Sequence, residues 1–390
     1  MMEAGMTPKQ RILAAYLRQD IDRPPVCPNL VRWIRGNYGC ACEMHQLRVM
    51  EEFGFDPLIV YGAYYNNNSI SSDYVYQPAA AGGYRDFPNV NVDHRIENHD
   101  DRTIHIRRFE TPDGVLTDRV IWPRPDMGYG DGPNPHRDEP LVKSMDDVPA
   151  LKHIYPRSRK GFTEDLRMFT KMVGERGVVE YLESSNAGAW GMESLGPDKM
   201  LTSAVEDKEL LHAVLRVCQD QHIRNLKEIL ESGHKNFLVS WFQCGPSVGW
   251  SPDNIREFFV PLMREGVELV HSYGGTYRWF DDGKMKDLIP ELVELGVDVI
   301  CGLQPPPVGD CVLGDLKSQY GRKVSFMGGL DGIYDFEFGS PQKVRTAVEK
   351  LLAEIGDGRG VIISTGEGFG PETLPKCLHE WVQAVRRFGK

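Results

Sequence analysis

Eight short apolar runs punctuate this chain, and amphipathic segments follow most of them. The runs are residues 25–30, 57–61, 177–182, 236–242, 276–280, 297–303, 323–327 and 360–364. Several place β-branched or aromatic residues side by side without alternation, as in Val361-Ile362-Ile363. Strands buried on both faces read this way. Residues 207–232, 252–272, 285–295 and 341–355 carry apolar positions at helical spacing between them. Strand–helix alternation repeated about eight times predicts an α/β fold, a (β/α)8 TIM barrel rather than an open sheet. No G-x-G-x-x-G follows the first run and no P-loop appears, which removes the signature of dinucleotide and nucleotide-triphosphate folds.

The first helix starts at a capping box. Thr7 is the N-cap, Pro8 suits the first helical position, and Gln10 stands at the third. Ile12, Leu13, Tyr16 and Leu17 then share one face, and Asp22-Arg23-Pro24-Pro25 ends the helix. One region breaks the alternation. Residues 90–92, 103–109 and 115–122 read as antiparallel strands, and Thr111-Pro112-Asp113-Gly114 supplies a hairpin turn. Residues 123–140 read as a Gly/Pro-rich loop. The expected organisation is one domain over 1–390, with residues 66–160 inserted over one mouth of the barrel.

Composition narrows the function classes. A net charge of −11 leaves no basic stripe for nucleic acid or an anionic membrane. No apolar run reaches the roughly 18 residues of a membrane helix. Met1-Met2-Glu3-Ala4-Gly5-Met6 lacks the charged and apolar regions of a signal peptide, so a cytoplasmic location is expected. The eight cysteines are then reduced thiols. Cys40-Ala41-Cys42, the only close pair, lacks the two-residue spacer of a zinc ribbon.

Barrel chemistry sits at the C-terminal ends of the strands. That rule selects Asn29, Arg32, Trp33 and Arg35 after the first strand, and Tyr61, Tyr64 and Tyr65 after the second. Glu183 and Asn186 follow the third; Trp241, Gln243 and Cys244 follow the fourth. The fifth ends in Asp281-Asp282-Gly283, the sixth in Cys301 and Gln304, the seventh in Gly328, Gly329 and Asp331, the eighth in Thr365, Gly366 and Glu367. This set is rich in carboxylates, amides and aromatics and poor in cations. Any single member could be a solvated rim group or a helix cap, and Asp331 in Gly-Gly-Leu-Asp-Gly suits a turn. No Ser-His-Asp or Cys-His grouping stands out. His271 closes a helix, where a histidine meets the helix dipole.

The stretches Met6-Thr7-Pro8-Lys9-Gln10-Arg11 through Asp22-Arg23-Pro24-Pro25, Gly296-Val297-Asp298, Phe326-Met327-Gly328-Gly329-Leu330-Asp331 and Ser364-Thr365-Gly366-Glu367-Gly368 resemble the uroporphyrinogen decarboxylase superfamily. That superfamily holds the decarboxylases and the cobalamin-dependent methyltransferases, including methylcobalamin:coenzyme M methyltransferases. The resemblance spans nearly the whole chain.

The decarboxylase signature Arg-Gln-Ala-Gly-Arg-Tyr falls here on Val31-Arg32-Trp33-Ile34-Arg35-Gly36-Asn37-Tyr38, and its catalytic aspartate position is Ala63. The methyltransferase signature is His-x-Cys-Gly with a later cysteine in Pro-Gly-Cys-Gly, together holding a thiol-activating zinc. Those motifs fall on Phe280-Asp281-Asp282-Gly283 and Thr365-Gly366-Glu367-Gly368, so both thiolate positions are carboxylates, Asp282 and Glu367. Hard oxygen ligands disfavour a soft thiolate site and a thiol acceptor.

The resemblance implies a corrinoid-dependent methyltransferase, working with a corrinoid protein on a small oxygenated or aromatic methyl donor, as a monomer or homodimer. Two readings of Asp282 and Glu367 stay open. Either they bind a divalent metal such as zinc, with Glu183 or a water, or they work without metal as an acid–base pair, with Asp281 beside them. Arg32, Trp33, Tyr64, Glu183, Trp241, Gln243, Gln304 and Asp331 are the expected substrate-binding residues. The alternatives are a uroporphyrinogen-type decarboxylase and a non-catalytic small-molecule or corrinoid-binding protein.

Overall fold

The computed structural model describes residues 5–39, 42–62, 87, 89–123, 136–154, 161–183, 186–241, 244–366 and 368–389. In chain order their strands are β1 (Leu58–Tyr61), β2 (Asn91–Asn98), β3 (Arg102–Thr111), β4 (Gly114–Pro123), β5 (His136–Glu139), β6 (Val178–Glu183), β7 (Asn236–Ser240), β8 (Thr276–Phe280), β9 (Val299–Leu303), β10 (Ser325–Leu330) and β11 (Val361–Thr365).

Seven of them, β1 and β6 to β11, form a curled parallel sheet in sequence order. The first expected strand is reduced to a single bridge. Val26 pairs with Ile363 of β11, where Cys27 N–H donates to the Ile363 carbonyl at 3.0 Å and Ile363 N–H to that of Pro25 at 2.9 Å. On its other side the Asp56 N–H, just before β1, donates to the Val26 carbonyl at 2.9 Å, and Val26 N–H returns to Asp56 Oδ2 at 2.9 Å. Residues 25–27 thus lie between the first and last strands of the sheet. The architecture is mixed α/β and TIM-like.

The helix Pro8–Tyr16 has the expected capping box, with the Gln10 N–H on Thr7 Oγ1 and the Thr7 N–H on Gln10 Oε1 at 2.9 Å. Its Ile12, Ala15 and Tyr16 pack with Leu58, Val178, Leu238, Cys301, Met327 and Ile362 in one buried cluster inside the curl. A buried ion pair sits in the same interior. Arg278 of β8 holds Glu180 of β6, and Tyr16 Oη donates to Glu180 Oε1 at 2.6 Å. The larger core lies between the sheet and the surrounding helices.

The antiparallel sheet β2–β3–β4–β5 carries the expected hairpin, with its turn at residues 112–113 and Gly114 at φ +144°. The loop expected over 123–140 needs correction, because residues 136–139 form β5 against β4. Its His-Arg-Asp-Glu sequence has no apolar alternation to signal a strand; ion pairing holds it instead. Asp118 of β4 is fully buried between Arg107 and Arg137, and Arg137 reaches Glu193 on the helix Ala187–Leu195. Phe109 and Leu116 join the main core, so the antiparallel sheet shares it.

Candidate active site

The C-terminal ends of β8, β9 and β11 converge on one amide. Gln304, just after β9, accepts the Gly283 N–H on Oε1 at 3.3 Å. Gly366, just after β11, packs against the same side chain so closely that a Cβ there would lie 2.0 Å from Gln304 Cγ. Asp282 precedes Gly283 and Glu367 follows Gly366, so Gln304 joins the two segments that carry the expected pair. Glu367 itself lies outside the described residues, as do Tyr64 and Gln243.

Asp281 is fully buried. Its Oδ1 accepts the Asp282 N–H at 2.8 Å, while Oδ2 has no hydrogen-bond partner. Glycine on either side makes room for it. A Cβ on Gly245 would lie 1.7 Å from Oδ2, and one on Gly302, at φ +86°, would lie 1.6 Å from the Asp281 carbonyl oxygen. Burial pushes this carboxyl well above the ordinary range, against the Asp282 N–H bond, which favours the ionised form, while the Asp282 charge adds to the rise. Asp282 is half-buried, and its carbonyl accepts from Ser247 Oγ at 3.1 Å. Cys244 is buried near Asp281, and burial, with Asp281 contributing, pushes its thiol well up. A Cβ on Gly188 would lie 1.8 Å from the Cys244 sulfur, so only glycine fits there.

The other expected residues are spread around the rim and behind it. Glu183 is buried at the end of β6, with the Tyr181 hydroxyl 3.4 Å from Oε2 and His222 of the helix Lys208–Glu231 4.0 Å from Oε1. Burial pushes His222 down to about 3, so it is neutral. Trp241 belongs to the core, its indole N–H donating to Tyr277 Oη at 2.8 Å. Trp33 is likewise core, with its N–H on the Thr373 carbonyl at 2.8 Å. Arg32 stands exposed on the helix Val31–Tyr38 with no ion-pair partner among the described residues. Asp331 caps the turn Gly332–Glu337, its Oδ1 accepting from the Ile333 and Tyr334 N–H groups at 2.8 and 2.9 Å. His271, in the last turn of its helix, pairs with Asp298 at 2.9 Å, which raises its pKa.

Sequence reasoning missed Glu43. It opens the helix Glu43–Phe53, is nearly buried, and accepts the Gly62 N–H at 3.3 Å at the end of β1. Burial raises its pKa. An acid in a first helical turn is common, and nothing local marks this one as facing a strand end.

Among the described residues no three His, Cys, Asp or Glu side chains converge on a point that could hold a metal ion. Asp281 Oδ2 is the orphaned oxygen at this end of the sheet. Glu367, the second of the two expected ligands, lies outside the described residues.

The family model described as Uroporphyrinogen decarboxylase (URO-D) matches residues 126–388. A uroporphyrinogen decarboxylase of Pseudoalteromonas translucida is 24% identical over 299 residues, covering 73% of this chain and 80% of that protein. One from Pseudomonas fluorescens is 32% identical over 146 residues, 31% of this chain and 41% of that one. Among solved structures, a methyltransferase from Methanosarcina mazei superposes with a TM-score of 0.63 at 13% identity, covering 98% of this chain and 99% of that one. That likeness is one of fold.

Proposed function

We propose, from the premise that the chain belongs to the uroporphyrinogen decarboxylase (URO-D) family, that it is a corrinoid-linked methyltransferase acting on a small oxygenated or aromatic methyl donor. The sheet is read as a (β/α)8 barrel whose first strand, completing the eight, is the 25–27 segment. Residues 66–160 are an insertion within that single domain, and the enzyme works in the cytoplasm.

The observation that carries this reading is the pair of carboxyls at the end of β8, Asp281 sealed with an unpartnered oxygen and Asp282 on the segment that Gln304 joins to Gly366. Uroporphyrinogen brings eight acidic side chains and calls for cations around it. In the candidate set only Arg32 and Arg35 are cationic. A site with more carboxyls than cations suits a different task. A methyl–oxygen bond breaks readily when the oxygen leaves as an alcohol or phenol, so a proton must reach that oxygen. The corrinoid, carried by a partner protein, supplies the nucleophile that accepts the methyl group.

In this chain Asp282 and Glu367 are the acid–base pair, one of them delivering the proton to the leaving oxygen. Asp281 fixes the Asp282 backbone through its Oδ1. Gln304 orients the donor and holds the two carboxylate-bearing segments together. Arg32, Tyr64 and Gln243 contact the donor. Trp33, Glu183, Trp241 and Asp331 form the walls that keep those groups in place.

The test is direct. Purified protein with cob(I)alamin and a methoxylated aromatic donor should form methylcobalamin, followed by its absorbance. The same protein with uroporphyrinogen should release no carbon dioxide. Rapid decarboxylation would instead establish the second reading, which the names of the curated relatives favour.

A further inference from the structure

The antiparallel sheet carries two histidines that have no part in the methyl-transfer reading, His94 on β2 and His105 on β3. In the register of the pair, His94 stands opposite Arg107 and His105 opposite Ile96. The two imidazoles are therefore diagonal neighbours on one face of the sheet. His94 Nε2 lies 3.1 Å from His105 Nδ1. The rings are 20° from parallel, with centroids 5.2 Å apart, and the Trp122 ring of β4 stands beside His105 at 6.1 Å. Both histidines are half-buried, so neighbours hold the pair while water still reaches it.

Two imidazole nitrogens at this separation have two uses. One is the hydrogen bond, in which one ring donates and the other accepts. The other is to share an ion. Imidazole nitrogen binds a transition metal at about 2.0–2.1 Å, so two nitrogens 3.1 Å apart subtend about 95–100° at the metal. That angle falls between the right angle of a tetragonal site and the tetrahedral angle, and a small turn of either ring reaches one or the other. Each ring then keeps its proton on the far nitrogen, Nδ1 in His94 and Nε2 in His105, the neutral form in which histidine ligates. An ordinary imidazole is mostly neutral at pH 7. The neighbouring cation is already engaged: Arg107 gives its guanidinium to buried Asp118, with Nε 2.8 Å from Oδ1.

We infer that His94 and His105 are a two-imidazole site for a divalent transition-metal ion of the nitrogen-preferring kind, Cu²⁺ or Zn²⁺, with water in the remaining positions. Two nitrogens without a carboxylate select against Mg²⁺ and Ca²⁺, which call for oxygen. The ion clips β2, which among the described residues pairs with β3 alone, to its neighbour through side chains. Neither ligand belongs to the strand ends assigned to methyl transfer, so the two readings stand or fall separately.

The experiment uses the full chain without an affinity tag, stripped of metal by a chelator and titrated with Cu²⁺ or Zn²⁺ at micromolar concentration. Wild type should bind one equivalent, show the paramagnetic resonance of Cu²⁺ on two nitrogens, and melt at a higher temperature with either ion. Mg²⁺ should do neither. His94→Gln and His105→Gln should each weaken binding at least about tenfold, because a chelate loses one of its two arms. Each should also cancel the rise in melting temperature, and metal-free melting near that of wild type shows that the fold is intact. His153→Gln, whose imidazole pairs with Asp113, should bind as wild type does. No binding at micromolar concentration, or binding that survives both H94Q and H105Q, would overturn the proposal. So would a Cu²⁺ spectrum with a single nitrogen.

Discussion

Arg278 Nε lies 3.0 Å from each oxygen of the Glu180 carboxylate, across the interior of the curled sheet and two strands away. Neither side chain reaches solvent to any useful extent. The Arg278 guanidinium also touches the Cys301 and Met327 sulfurs, at 3.3 and 3.4 Å. Removing one partner strands a buried charge. Arg278→Met or Glu180→Leu alone should each cost about 3–5 kcal/mol of stability, while E180L/R278M should recover most of it. Urea denaturation of the three variants decides this, and equal losses in all three would refute it.

Asp281 gives the fold a pH dependence of definite sign. Unfolded, its carboxyl ionises near the ordinary value of about 3.9. Folded, burial holds the proton far above that. Between the two values the native chain carries the extra proton, so this contribution is complete below the ordinary value and is lost as pH rises through the window. Asp281→Asn cannot ionise and should grow more stable relative to wild type as pH rises above about 4, by at most about 1.4 kcal/mol per unit, until the folded-state value is passed. A constant difference between the two proteins across that range would show that Asp281 is ionised in the fold.

Asp282 and Glu367 are 85 residues apart in sequence (367 − 282), yet their segments meet at Gln304. Asp282→Asn and Glu367→Gln should each slow methylcobalamin formation by about 10²–10⁴. The double mutant should be little worse than the poorer single, as expected of groups that act as a unit. Metal analysis separates the two chemistries: one equivalent in wild type, lost in both singles, means a metal site. Full activity in either single removes that residue from the chemistry.

Thiols should be spectators. Burial pushes the Cys244 thiol well up and the Cys301 thiol up to about 11, so neither is a thiolate at neutral pH. Exposed Cys42 should react with a thiol reagent in the native protein long before either of them. Cys244→Ala and Cys301→Ala should keep most activity. A loss beyond about a hundredfold, roughly 2.7 kcal/mol of barrier, would place a thiolate in the reaction.

Much of this was legible in the sequence because burial on both faces writes continuous apolar runs. Residues 276–280 and 341–355 are a strand and a helix with the very ends read from periodicity. The segment 252–272 is helical as read, but it widens into a π-turn at Ile255–Phe259, where Pro261 has no N–H to continue the ladder. Glu180 and Arg278 were hidden inside apolar runs, since a charge there has meaning only when its partner two strands away is known. Trp33 and Trp241 stand beside strand ends in sequence, but which way a ring turns there depends on the helices that cover it. Asp281 was legible as a rim carboxylate; that it is sealed follows from Gly245 and Gly302, whose proximity no local pattern announces.

The helix Pro8–Tyr16 closes the floor of the sheet's interior, with Tyr16 bonded to Glu180 above it. That end of the interior is filled by side chains. On the proposed methyl transfer, a small donor and a bulky corrinoid protein would both have to come to the other end, so the donor should bind first and an excess of the corrinoid protein should inhibit rather than help.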